Sequence, residues 1–157
     1  MLMQDQKNHE KLCVQKYQSY ANQAQGPQLK QLFNSLSQKE QEHLNSINQI
    51  LNGQLPNMQQ NQQMGQQTQG YQQMEGYNQQ VQGYQQMPGQ GAANQNDATL
   101  CNDMLVTENY ISGSYDNSIF QIADTNVRQI LNHIQKEEQE HGEQILNYMK
   151  NNGMYNQ

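Results

Sequence analysis

One stretch of this chain occurs twice. Lys39-Glu40-Gln41-Glu42-His43 returns as Glu137-Glu138-Gln139-Glu140-His141, at an offset of 98 residues. Upstream, Leu29 to Leu36 lies over Val127 to Ile134, and Asp5, Glu10 and Tyr17 fall on Asp103, Glu108 and Tyr115. An internal repeat limits the architecture more than any composition does. Here it predicts two copies of one helical hairpin. Each copy holds a glutamate and, thirty residues later, a Glu-x-x-His pair.

The repeated stretch follows a helical seam. Positions 29, 33, 36, 40, 43, 47 and 50 advance by alternating steps of 4 and 3, which traces one side of an α-helix. Their residues are Leu, Phe, Leu, Glu, His, Ile and Ile. The second copy reads Val127, Leu131, Ile134, Glu138, His141, Ile145 and Tyr148. Met3, Gln6, Glu10, Cys13 and Tyr17 form a matching seam in the first helix, and Cys101, Met104, Glu108, Ile111 and Tyr115 in the third. A Glu or a Glu-His pair therefore sits in the middle of every apolar stripe.

Geometry predicts that these groups meet. In an antiparallel hairpin, residues equidistant from the turn share a level. The midpoint of 10 and 40 is 25, beside the predicted turn at Gly26-Pro27; that of 108 and 138 is 123, beside Ala123-Asp124. Four carboxylates buried in one layer without counter-charge are prohibitively costly. Two divalent cations would balance them, taking the formal net charge from -6 to -2. One Glu from each of two helices, plus Glu-x-x-His from each of the other two, is the ligand set of di-iron and di-manganese carboxylate bundles. The predicted metal ligands are Glu10, Glu40, His43, Glu108, Glu138 and His141, and the predicted cofactors are two divalent ions, Fe or Mn.

The bland reading of the six is a decayed site kept as a buried polar network. His9 and His133 lie off the seams and are placed at the surface or rim. Glu42 and Glu140 face outward or support the neighbouring histidines. Tyr17 and Tyr115, about two turns from Glu10 and Glu108, read first as core filling and second as hydrogen-bonding or redox tyrosines beside the metals. The two cysteines, Cys13 and Cys101, occupy non-equivalent places in the repeat and read as small buried thiols. There is no C-x-x-C, so no rubredoxin-like electron donor is attached.

The remaining boundaries follow from breakers and caps. Helix 1 is expected over about residues 3–24, and helix 2 from Pro27 to about Leu51 before Asn52-Gly53. Helix 3 is expected over about 98–122 with Asp97 as its N-cap. Helix 4, capped by Asp124 or Thr125, is expected to reach about Asn151. The chain thus divides into a first hairpin (1–51), a Gln/Tyr/Gly-rich linker (52–96) and a second hairpin (97–153). The linker repeats Gly-Tyr-Gln-Gln-Met at 70–74 and 83–87 and shows no helical period. It reads as disordered, either a plain tether or an assembly segment whose Gln and Tyr side chains are cross-linked. A flexible chain of about 45 residues spans about 37 Å, the length of helix 2, so helices 2 and 3 are free to run parallel. The expected fold is all-α: a ferritin-like four-helix bundle with a long crossover.

A net charge of -6 over 157 residues, with no basic stripe, argues against nucleic-acid binding. No apolar run approaches a membrane span, and the N-terminus lacks the basic and apolar regions of a signal peptide.

The second half resembles the spore coat protein F family. The resemblance rests on Asp103-Met104-Leu105-Val106-Thr107-Glu108, Ser114-Tyr115 and His133 to Glu143. It covers about a third of the chain, and the first half resembles the same module more loosely. It implies a ferritin-like fold and a structural place in the coat of bacterial endospores, after synthesis in the mother-cell cytoplasm. It also implies other coat proteins as partners, with self-association or cross-linking through 52–96. The complete ligand set in both halves keeps open an alternative, a di-metal redox enzyme or metal store acting on peroxide or ferrous iron.

Overall fold

The computed structural model describes residues 1–57 and 90–155, with side chains in the second part described from residue 95. Four helices lie among the described residues: α1 (Leu2–Gln23), α2 (Pro27–Leu51), α3 (Gln90–Gln121) and α4 (Thr125–Asn151). Among the described residues there is no strand, and no helix is long and apolar enough to cross a membrane. The fold is an all-α four-helix bundle.

The helix ends have local causes. Pro27 opens α2 with a fixed φ and no wasted N–H, and Gly26 is its N-cap. Asp124 caps α4 by accepting from the backbone N–H groups of Asn126 and Val127, at 2.8 and 3.0 Å. Gly53 and Gly153 take positive φ just beyond the ends of α2 and α4.

Packing follows the seams. Leu29, Phe33, Leu36 and Ile47 of α2 are buried with Leu131, Ile134 and Ile145 of α4, Cys13 and Tyr17 of α1, and Met104, Ile111 and Tyr115 of α3. α1 lies against α2 and α3, and α4 lies against α3 and α2. Between α1 and α3 the pairs Tyr17–Glu108 and Tyr115–Glu10 run in opposite senses, as do His43–Glu137 and His141–Glu40 between α2 and α4. Both pairs are therefore antiparallel. Since the hairpins are antiparallel too, α2 and α3 run parallel across the diagonal, the arrangement that the long crossover predicts.

Two boundary expectations need correction. α3 begins at Gln90, so residues 90–96 of the predicted linker are helical, and Asp97 lies inside the helix instead of capping it. Asp97 is buried and accepts from the N–H groups of Gln25 and Gly26, both at 2.8 Å. It secures the turn between α1 and α2 from across the bundle. A side chain at Gly26 would force its neighbours to shift: a Cβ would lie 2.8 Å from the Tyr148 hydroxyl and 3.1 Å from Asp97 Oδ2. The rest of the predicted linker, apart from residues 52–57, lies outside the described residues.

Candidate metal centre

All six predicted residues converge. Each helix contributes at its midpoint: Glu10 from α1, Glu40 and His43 from α2, Glu108 from α3, Glu138 and His141 from α4. Glu10, Glu40, His43 and Glu138 bring four ligand atoms within 4.8 Å of one another, and so do Glu40, Glu108, Glu138 and His141. The two groups share Glu40 and Glu138. All six residues are buried, none more than 2 % exposed. The two imidazoles stack, with centroids 5.5 Å apart and planes 18° off parallel.

The atoms of the layer crowd a common space and satisfy each other only in part: His141 Nδ1 pairs with Glu40 Oε1 at 2.9 Å. His43 Nδ1 lies 2.8 Å from Glu138 Oε1, 3.4 Å from Glu40 Oε2 and 3.6 Å from Glu10 Oε2, yet has no well-directed hydrogen bond. Glu10 Oε2, Glu40 Oε2, Glu108 Oε2 and both Glu138 oxygens are buried and unpartnered as well. These are the only such side-chain atoms among the described residues. Buried polar groups are normally satisfied, and leaving one unpaired costs about 1–3 kcal/mol. Unpaired atoms confined to one layer, all from carboxylates and an imidazole, form a donor set suited to hard or borderline divalent cations. The residues present fit a pair of such ions.

The charge balance of the metal-free layer agrees. Burial raises the Glu10 carboxyl to about 7, with nearby Glu40 adding to the effect. Burial and carboxylate neighbours raise Glu40, Glu108 and Glu138 too. Burial opposes the charged form of His43, but the surrounding Glu10, Glu137, Glu138 and Glu40 outweigh it and lift the imidazole well above its ordinary pKa. The layer as it stands thus favours protonation of its carboxyls and of His43.

Supporting contacts appear that the repeat alone did not assign. Tyr17 on α1 donates to Glu108 on α3, and Tyr115 on α3 donates to Glu10 on α1. Both tyrosines are fully buried, so they fill the core and also fix the two unshared carboxylates. Their mirrored positions in the repeat were the available signal. Glu137 was missed: its Oε2 lies 2.8 Å from His43 Nε2, leaving Nδ1 to face the layer. Burial works to raise Glu137, but its bond to His43 and the nearby charges of His43, His133 and Lys39 hold it down to about 2. Glu42 pairs with Lys39 at 3.1 Å, and Glu140 pairs with Lys136 at 3.3 Å; neither joins the layer. His9 and His133 are half-buried at the periphery, His9 beside Gln6 and Ser114 and His133 beside Glu137. Cys13 is buried close to the layer, and burial together with the carboxylates keeps its thiol protonated.

Residues 96–157 match the family model of the Coat F domain. The match supports the resemblance to the spore coat protein F family read from the sequence. It takes in Glu108, Glu138 and His141, while Glu10, Glu40 and His43 lie in the other hairpin. No curated protein and no solved structure matches the chain.

Proposed function

We propose, from the Coat F match over 96–157, that this chain is a structural component of the bacterial spore coat whose ferritin-like bundle holds two divalent cations, iron or manganese. The coat assignment comes from the family. The metal assignment is carried by one observation: the buried, unpartnered carboxylate and imidazole atoms are confined to the layer where four helices meet. Glu40 and Glu138, common to both groups, would serve both ions. Glu10 and His43 would complete one site, and Glu108 and His141 the other. Tyr17, Tyr115 and Glu137 would hold three of these ligands in position. With both ions in place the layer becomes a cross-link among all four helices, which suits a protein built into a durable shell. Its neighbours there are other coat proteins. The Gln- and Tyr-rich segment 52–96 supplies residues for joining them, either through glutamine acyl transfer or oxidative tyrosine coupling.

A second reading, a di-metal oxidoreductase or metal store, draws support from the buried tyrosines on the unshared carboxylates. Bound iron or manganese would supply redox chemistry toward peroxide or ferrous iron. The protein's part would be to orient Glu10 and Glu108 and exclude bulk water. Metal analysis of protein purified without chelator tests the central claim. About two Fe or Mn per chain are expected, one for each four-residue group. No metal, even after anaerobic addition of Fe²⁺ or Mn²⁺, would reduce the protein to a structural bundle.

A further inference from the structure

A groove of about 260 Å³ opens between α3 and α4 and reaches the layer. Glu108 and Glu138 form part of its wall, with Leu105, Asn109 and Gly142, and the exposed Glu143 also lines it. The unpartnered Glu108 Oε2 and both Glu138 oxygens belong to residues that line this groove, and they lie buried just behind its wall. Gly142 directly follows His141 inside α4. Glycine there costs about 1 kcal/mol relative to alanine, so its place in the helix needs a local reason. Close packing is not that reason. An added Cβ would touch only Leu105 Cδ2, at 3.9 Å. The space beside Gly142 is open.

The repeat supplies an internal control. Where the second hairpin has Gly142 and Ser112, the first has Leu44 and Val14. Where the second has Leu105, Asn109 and Glu143, the first has Lys7, Lys11 and Asn45. Apart from the glutamates of the layer, the groove carries one acid and no base; the matching face of the first hairpin has two lysines, and larger aliphatic residues in place of Gly142 and Ser112. A divalent cation is drawn toward negative potential and turned away by lysines.

We infer that the α3–α4 groove is the port through which divalent cations enter the layer, and that the corresponding face of the first hairpin is shut to them. This inference rests on the metal reading above. It adds a direction of entry and names Gly142 and Glu143 as the residues that keep the port open and attractive.

Stopped-flow uptake of Co²⁺ by the metal-free full-length protein, followed by visible absorption, provides the test. Gly142→Leu, which copies the first hairpin, should slow uptake on the order of tenfold, because entry would then require the helices to part. The final Co²⁺ content should stay at the wild-type value. Glu143→Lys should also slow uptake, by roughly tenfold at low salt and less at high salt. Wild-type uptake rates in both variants would overturn the port. Should Gly142→Leu lose its helical circular dichroism, Ser112→Val and Glu143→Lys decide instead: slower uptake in both supports the port, and unchanged rates in both reject it. If the wild type binds no Co²⁺ at all, the metal reading fails and the port falls with it. If it binds Co²⁺ but the variants bind equally fast, the port alone fails.

Discussion

The two hairpins agree on what faces inward and differ on what surrounds it. Glu10, Cys13, Tyr17, Glu40 and His43 have counterparts in Glu108, Ile111, Tyr115, Glu138 and His141, every one of them buried. Around this inner set the copies part. His43 is held by Glu137, whereas the position corresponding to Glu137 in α2 is Lys39, which pairs with Glu42. The buried Gln6, which donates to Ser114 at 2.7 Å and Ser118 at 2.8 Å, has Met104 as its counterpart. Leu44 stands where α4 has Gly142. The difference teaches that a near-symmetric buried layer can have asymmetric surroundings and an asymmetric set of supports. Symmetric and asymmetric features then call for different perturbations.

The largest effect should come from breaking the symmetric part. Metal at a thousand times its dissociation constant stabilises the folded state by about 4 kcal/mol. Glu138→Gln and Glu40→Gln each remove a residue common to both four-residue groups, so the two should lose this gain nearly equally. In the metal-free form the same changes remove a crowded carboxylate and should leave stability unchanged or raised. Thermal melting with Mn²⁺ and with EDTA checks this. A chelator shift as large in either variant as in the wild type would show that the shared carboxylates are not the ligands.

The pH dependence should be next in size and should change sign with metal. Glu10 is raised from 4.5 to about 7 in the folded, metal-free protein. The folded state therefore binds this proton more tightly than the unfolded chain does. The stability it contributes is complete below about pH 4.5 and is lost as the pH rises through about 7, roughly 3 kcal/mol in all. Glu137, held down to about 2, acts oppositely, but only below about pH 4.5. The metal-free melting temperature should thus fall between pH 5 and 8. With Mn²⁺ bound, cations displace the protons, and the melting temperature should rise over the same interval. Parallel curves with and without metal would contradict a shared site for protons and cations.

Asymmetric support predicts a smaller effect on one hairpin only. Glu137→Gln weakens the group that orients His43, and outer partners of this kind are worth about 10–100-fold in metal affinity. Lys39→Gln, its counterpart, removes only a charge near Glu137 and should cost much less affinity, since a lysine cannot accept the imidazole proton. Calorimetric titration with Co²⁺ separates them. Equal losses in both variants would show that the repeat's symmetry extends to the supports.

The parts legible in the sequence are those with local or periodic causes. The seams placed all six residues of the buried layer, because a 3.6-residue period fixes which side chains share a face. Pro27 and Asp124 marked helix starts through their own backbone chemistry. Asp97 misled because an aspartate ahead of an apolar period looks like a cap. Its real partners, Gln25 and Gly26, are more than seventy residues away and meet it only after the hairpins pack. Glu137 was obscured for a related reason. It neighbours a seam residue, and its role depends on the face that α4 turns toward His43. The groove was invisible to periodicity because it consists of missing volume, although Gly142 inside a helix was a signal on its own.

That glycine sharpens the comparison at the smallest scale. Within residues 97–153 the second hairpin carries Gly113 and Gly142 inside its helices, where the first has Gln15 and Leu44. A Cβ at Gly113 would meet nothing within 4 Å, and one at Gly142 only Leu105 Cδ2. Neither glycine is required by backbone angle, since the positive-φ glycines are Gly53 and Gly153. Gly113→Gln and Gly142→Ala should therefore each stabilise the metal-free protein, by about 0.5–1 kcal/mol, through helix propensity alone. The two should differ kinetically. Gly113 lies off the groove, so its replacement should leave Co²⁺ uptake unchanged, whereas even one methyl at Gly142 should slow uptake modestly. Denaturant melts and stopped-flow traces on the same samples make the distinction. If Gly142→Ala raises stability and leaves uptake untouched, the glycine is merely a weak point in α4. If it raises stability and slows uptake, the helix gives up stability at that position to keep its groove open.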